Sequence, residues 1–163
     1  MDLTNCRMKV AIVYASITGN TKELAEELFE IFLAHSVEVT LYKIEEFPLS
    51  DLSQFDAIAI ATYTWGDGEI PKEMLGLYQA FELLGKKRVV TAIFGTGDSF
   101  YPRYCGAVDL FRDMLYVHTN LAAILKVELI PQVQDVNRCH RLVESIINRV
   151  QRNQQVAGLA GGH

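Results

Sequence analysis

The fold is decided by residues 8–35, MKVAIVYASITGNTKELAEELFEIFLAH. Residues 8–15 form an apolar run rich in β-branched side chains, which indicates a buried strand, and the polar cluster SITGNT after it indicates a turn. From Thr21 onward, four large apolar residues recur at positions i, i+4, i+7 and i+8: Leu24, Leu28, Ile31 and Phe32. The segment is therefore predicted to be a strand, a turn and an amphipathic helix that packs on one side of a sheet.

The same unit recurs along the chain. Further apolar runs predict strands at 37–44, 56–64, 88–97 and 122–130. Helical patterns follow at about 71–84, 104–118 and 137–152. Alternating strands and helices, with strands that are apolar on both faces, are typical of an α/β fold in which helices cover a parallel sheet. We expect a single domain over residues 1–163, with a frayed leader at 1–7 and a frayed tail at 153–163.

Composition excludes several classes of protein. The 163 residues carry a net charge of −5, and the first 85 residues hold 14 Asp and Glu against 5 Lys and Arg, which argues against a nucleic-acid binder. We expect neither a signal peptide nor a membrane span, because no apolar run reaches the length that a span requires. The three cysteines, Cys6, Cys105 and Cys139, form no CxxC pair and no cluster with histidine. Neither a disulfide framework nor a zinc site fits them, and a cytoplasmic location is expected.

In a sheet of this kind, ligands bind beyond the carboxyl ends of the strands, so three loops are candidates for the site: 16–21, 63–70 and 95–105. The first loop comprises Ser16, Ile17, Thr18, Gly19, Asn20 and Thr21. Its hydroxyls and backbone N–H groups suit one phosphate at a helix N-terminus. It contains no lysine, so it is not the phosphate loop of a nucleotide triphosphatase. A capped helix start with nothing bound is the alternative interpretation.

The other two loops supply aromatic rings. Trp65 is the only tryptophan, and it lies in a polar, Gly-rich loop with no helix or strand period that would bury it. Tyr101 lies in the third loop, where Gly95 and Gly97 do not complete a dinucleotide fingerprint because the third glycine position is occupied by Phe100. Two flat side chains and a phosphate cradle together predict a mononucleotide site.

At these residues the sequence resembles the flavodoxin family, in its short-chain form. The matching motifs are SITGNT (16–21), TYTWGDGEIP (62–71) and FGTGDSFYPRYCGAVD (94–109), and the resemblance covers about residues 8–152. It implies a flavodoxin-like three-layer sandwich whose five-stranded parallel sheet has the order 2-1-3-4-5. It also implies noncovalently bound FMN and low-potential, one-electron shuttling between redox enzymes. Partners would be a reductase that donates electrons and an enzyme that accepts them, docked transiently on a monomer, with no nucleic acid, membrane or metal.

The resemblance also assigns residues to the cofactor. The FMN phosphate would be held by Ser16, Thr18, Asn20 and Thr21. Trp65 would cover one face of the isoalloxazine ring and Tyr101 the other. The rest of the expected binding set is Ile17, Gly19, Tyr63, Thr64, Gly66, Asp67, Thr96, Gly97, Asp98, Arg103, Tyr104 and Cys105.

Two other functions are compatible with the same fold. An FMN-dependent NAD(P)H:quinone-type reductase is the alternative, but it would need room over the ring for a second flat substrate. A phosphorylatable receiver domain needs acidic residues at the ends of the first and third strands, where this chain has Tyr14-Ala15-Ser16 and Thr62-Tyr63-Thr64. Two features depart from the usual flavodoxin pattern: the modest net charge and the cation of Arg103 beside the expected flavin site. Cys105 is interpreted as a small buried packing residue rather than a redox thiol.

Overall fold

The computed structural model describes residues 7–161. The predicted leader lies, apart from Arg7, outside the described residues, and so does Cys6. Five parallel strands form a sheet in the order β2-β1-β3-β4-β5, which confirms the predicted topology. The strands are β1 (Lys9–Tyr14), β2 (Glu38–Lys43), β3 (Ala57–Thr62), β4 (Val90–Gly97) and β5 (Asn120–Glu128).

Four α-helices connect and cover the strands: α1 (Asn20–Leu33), α2 (Leu75–Leu84), α3 (Gly106–His118) and α4 (Val133–Gly161). Short 3₁₀ turns lie at Ile44–Glu46, Leu49–Gln54 and Lys72–Met74. The first three helices begin and end close to their predicted bounds. The last helix is longer than the predicted 137–152 and takes in most of the segment after Asn153.

The strand alternation sorts the core into two layers, because successive side chains point to opposite faces of a sheet. Val10 and Ile12 of β1 pack with α1 and α4, whereas Ala11 and Val13 pack on the other face with α2 and α3. The central strand β3 is buried along its whole length. This arrangement is the predicted sandwich of helices, sheet and helices.

The order of the strands locates the ligand end. The helix after β1 crosses to β2 on one face, and the helix after β3 crosses to β4 on the other. The chain thus turns in opposite directions after β1 and β3, and a crevice opens between the two loops that follow them. The loop after β4 borders the same end of the sheet.

None of the helices between residues 7 and 161 combines the length and the apolar character that crossing a membrane requires. Within the same residues, no group of three or more His, Cys, Asp and Glu side chains is arranged to hold a metal ion.

Candidate functional site

The loop after β1 forms a neutral cradle. Gly19 has a φ of +97°, which a glycine adopts at little cost, and its N–H donates to Ser16 Oγ at 3.1 Å. Within the described residues, the N–H groups of Thr18, Asn20 and Thr21 have no hydrogen-bond partner, as expected before and within a first helical turn. Together with the positive end of the helix dipole, these groups suit an anion.

The four residues predicted to hold a phosphate occupy different places in this loop. Thr18 and Asn20 line the cleft described below. Ser16 fixes the loop through its bond with Gly19. Thr21 is buried behind the loop, where its hydroxyl lies 2.7 Å from that of Thr96. The hydroxyl of Thr21 is therefore already paired inside the protein.

The loop after β3 is a tight turn that presents Trp65. The N–H of Trp65 donates to the carbonyl of Glu69 at 2.8 Å, and the N–H of Glu69 donates back to Trp65 at 2.7 Å. Thr64 ties the loop to the start of α3, because its hydroxyl accepts a hydrogen bond from the N–H of Ala107 at 3.2 Å. Trp65 is 56% exposed, so the prediction of an exposed ring is confirmed.

This loop also approaches α3 closely. A Cβ on Gly106 would lie 2.6 Å from the Cα of Gly68, so the first residue of α3 must be small. The side chain of Arg103 lies across Gly68, and a Cβ added there would meet its Cδ at 2.7 Å. The loops after β3 and β4 are consequently packed against one another.

The loop after β4 carries the second ring. Asp98 shapes its beginning by accepting a hydrogen bond from the N–H of Phe100 at 2.9 Å, and Ser99 donates to the carboxylate of Glu128. Tyr101 is 61% exposed. Tyr104 packs under Lys126, whose Nζ lies 5.9 Å from the ring centroid.

Side chains from all three loops line one open cleft of about 370 Å³ at the carboxyl end of the sheet. The residues that line this cleft and were also predicted from the sequence are Ile17, Thr18, Asn20, Tyr63, Thr64, Trp65, Gly66, Thr96, Gly97, Asp98, Tyr101, Arg103 and Cys105. The other predicted residues, Ser16, Gly19, Thr21, Asp67 and Tyr104, lie outside this lining. Leu129 lines the cleft and was not predicted; no motif marks it, because it simply follows the last strand.

Burial suppresses ionisation at this end of the molecule. It raises the pKa of the Cys105 thiol to about 11, so the group is a neutral thiol at physiological pH, consistent with a packing role. Burial also raises the pKa of Tyr63, whose hydroxyl donates to Glu73 at 2.7 Å and further favours the protonated form. Among the described cleft residues, the lining includes one acidic side chain, Asp98, and one basic side chain, Arg103.

The arrangement fits a ligand with one anionic end and one flat ring. The unpaired N–H groups and the Thr18 hydroxyl can donate hydrogen bonds to the anion. Trp65 and Tyr101 line the same cleft and are solvent-exposed, so both rings are available for stacking.

Comparison with known proteins gives the same picture. Residues 12–116 match the family model described as flavodoxin. The chain is 33% identical over 147 residues to probable flavodoxin 1 of Bacillus subtilis strain 168, which covers 85% of this chain and 90% of the relative.

Solved structures agree with this match. The crystal structure of oxidised flavodoxin 1 from Bacillus cereus superposes with a TM-score of 0.79 at 33% identity, covering 86% of this chain and 97% of the other. A short-chain flavodoxin associated with a non-canonical PDU bacterial microcompartment superposes with a TM-score of 0.83 at 25% identity, covering 88% and 99%.

Proposed function

The chain belongs to the flavodoxin family, and from this premise we propose that it shuttles single electrons at low potential between a donor reductase and an acceptor enzyme. Family membership supplies the coarser function: the protein binds FMN and transfers electrons. Bound FMN provides a ring that takes up and releases one electron at a time. The chain's own residues bind that ring, orient it and exclude water from it.

We assign the cofactor to the cleft at the carboxyl end of the sheet. Thr18 and Asn20 bind the phosphate with their side chains and N–H groups, while Ser16 holds the loop in shape. Thr21 contributes its N–H, since its hydroxyl is bonded to Thr96. A neutral cradle of this kind binds a phosphate by hydrogen bonds to charged oxygens, which are stronger than bonds between neutral groups.

Trp65 and Tyr101 stack on the ring, and the backbone of Gly66, Gly97 and Asp98 meets its polar edge. The observation that carries the proposal is that both exposed aromatic side chains line the same cleft as Thr18 and Asn20. An aromatic side chain available for each face of a flat ring leaves no room for a nicotinamide or quinone. The carrier is therefore favoured over the reductase.

The partners, oligomeric state and location are part of the same proposal. The protein acts as a monomer that docks transiently on its donor and acceptor, with the cleft facing each in turn. A cytoplasmic location is supported by Cys105 and Cys139, which are free, buried thiols.

The test begins with the absorption spectrum of the purified protein and mass identification of the released chromophore. We expect flavin bands and FMN. In an assay with NADPH, cytochrome c as the acceptor should be reduced only when a separate flavodoxin reductase is added. A colourless protein that takes up no FMN would overturn the assignment of the site. Oxidation of NADPH by a quinone without added reductase would instead support the enzyme.

A further inference from the structure

Leu129 holds an unusual backbone conformation directly after β5. Its φ is +58°, in the left-handed region where a side chain with a Cβ is disfavoured. A hydrogen bond from its N–H to the carbonyl of Gly97, at 2.7 Å, holds it there. This bond continues the β4 to β5 pairing, in which Gly97 is matched with Glu128.

Most of the residues with this strained backbone conformation lie at the cleft. Three described residues other than glycine have a positive φ: Ser36, Cys105 and Leu129. Two of them, Cys105 and Leu129, line the cleft. Backbone strain that persists at a binding site is commonly part of how the site is built. A glycine at 129 would relieve the strain, yet the chain has a large apolar residue there that is 49% exposed.

We propose that Leu129 is a cofactor-binding residue that forms an apolar wall of the cleft against the flavin ring. The strand order decides between the ring and the phosphate. The phosphate loop, residues 16–21, follows β1. Strand β5 lies three strands away from β1, beyond β3 and β4, which is a distance of about 14 Å. Leu129 therefore borders the part of the cleft farthest from the phosphate cradle, beside the loop that carries Tyr101.

The inference rests on the proposed FMN site and is tested by two substitutions that tolerate a positive φ. Leu129→Gly removes the side chain, and Leu129→Asn replaces the apolar surface with a polar one. The dissociation constants of FMN and riboflavin are measured by fluorescence quenching on FMN-free protein. Both constants should rise about three- to tenfold in each variant, because the lost contact is apolar and involves the ring that the two ligands share.

Ser36→Gly is the matched control. Ser36 has a φ of +56° in the turn between α1 and β2, and it does not line the cleft. Relief of the backbone strain should change the free energy of unfolding of Ser36→Gly in urea as it does at Leu129. Both dissociation constants should stay at their wild-type values. Leu129→Gly should unfold at a urea concentration no lower than that of the wild type, because relief of the strain offsets the lost packing.

The outcomes distinguish a failure of the Leu129 inference from a failure of the proposed FMN site. Wild-type affinity in either Leu129 variant would overturn the inference, and so would a loss of FMN affinity without a loss of riboflavin affinity, which would place Leu129 at the phosphate. Wild-type protein that binds neither ligand would overturn the proposed site and this inference with it.

Discussion

The hydroxyl oxygens of Thr21 and Thr96 lie 2.7 Å apart, and neither side chain is more than 5% exposed. Thr21 belongs to the first turn of α1, and Thr96 lies near the end of β4. The pair therefore joins the phosphate loop to the strand that leads into the loop with Tyr101. A buried hydroxyl needs a partner, so each threonine fixes the other.

Thr96→Val should weaken both the fold and the cofactor site. The substitution keeps the shape of the side chain but leaves the hydroxyl of Thr21 buried without this partner, which should lower the free energy of unfolding by about 1–3 kcal/mol. FMN affinity should fall as well, because the phosphate loop loses an anchor. Urea unfolding and FMN titration measure the two effects.

The control for this variant is Thr91→Val. Thr91 and Thr119 form a second buried hydroxyl pair, also 2.7 Å apart, at the opposite end of β4. Breaking it should lower stability while the FMN affinity stays unchanged. Equal losses of FMN affinity in the two variants would show that the Thr96 effect is a general loosening of the fold.

Trp65→Ala and Tyr101→Ala should each weaken FMN binding by about 1–3 kcal/mol, the contribution expected of an aromatic stacking face. The stability of the FMN-free protein should change little, because both rings are more than half exposed. Phe100→Ala is the control, since Phe100 is 94% exposed and does not line the cleft. A variant that unfolds the FMN-free protein while keeping its FMN affinity would identify that ring as part of the core.

Thr18→Ala should weaken FMN binding by about 1.5–3 kcal/mol and riboflavin binding hardly at all. The reason is that the Thr18 hydroxyl is assigned to the phosphate, which riboflavin lacks. Thr18→Ser keeps the hydroxyl and should restore most of the FMN affinity. Comparable losses for FMN and riboflavin in the alanine variant would place the Thr18 hydroxyl at the ring.

The parts of the fold that depend on local sequence patterns were predictable. Strand β1 and the apolar face of α1 follow from periodicity alone, because the helix buries Leu24 and Leu28 on the side facing the sheet. The loops of the site follow from the general position of ligands in parallel sheets. The exposure of Trp65 followed from the absence of any regular element around it.

Features that depend on contacts between distant segments were not predictable. Thr21 and Thr96 are 75 residues apart, and nothing in either loop indicates that their hydroxyls meet. Leu129 enters the cleft because of its backbone conformation, which the surrounding sequence does not specify.

Helix α4 is longer than its sequence pattern predicts, for a reason of composition. Its start at Val133 is set by Asp135, whose carboxylate accepts a hydrogen bond from the N–H of Gln132 at 2.9 Å, in the manner of a capping residue that reaches back. Its extension after Asn153 reflects the Gln and Ala content of that segment. Both residue types favour helices, although the glycines suggested a tail.

Arg103→Glu should lower the potential at which the second electron is accepted. Arg103 lines the cleft and forms no ion pair with any described residue, so its charge acts directly on the site. Replacing a cation with an anion disfavours added negative charge. The shift should be on the order of tens of millivolts and should shrink as salt is added, because the group is exposed.

Spectroelectrochemical titration at low and high salt measures this shift. Arg152→Glu makes the same change of charge on α4, next to Asn153, whose side chain binds the carbonyl of Arg88 just before β4 begins. Arg152 lies at the end of the sheet away from the cleft. The potential at which the second electron is accepted in Arg152→Glu should therefore stay close to that of the wild type. Equal shifts in the two variants would mean that only net charge matters.

Two glycines in the loop with Trp65 should respond differently to alanine. Gly66 has a φ of +54°, and an added Cβ would meet only the carboxylate of Glu69, at 3.6 Å. Gly66→Ala should therefore lower the free energy of unfolding by about 1–2 kcal/mol, the cost of a left-handed conformation. Gly68 has a φ of +106°, and its Cβ would lie 2.7 Å from the Cδ of Arg103. Gly68→Ala should cost about 2–4 kcal/mol, because overpacking adds to the strain.

A double-mutant cycle with Arg103→Gly separates strain from overpacking at Gly68. Arg103→Gly removes the Cβ, Cγ and Cδ atoms that the new Cβ would meet at 2.7–3.3 Å, so Gly68→Ala should cost about 1 kcal/mol less in that background than in the wild type. Gly66→Ala should cost the same in both backgrounds, because the atoms nearest to a Cβ at Gly66 belong to the carboxylate of Glu69 and not to Arg103. Urea unfolding of the FMN-free wild type and of the five variants provides the measurement: the two glycine variants, Arg103→Gly alone as the reference, and the two double variants. Strict additivity for Gly68 and Arg103 would show that the stem of Arg103 moves aside freely and that the two loops are not held together by this contact.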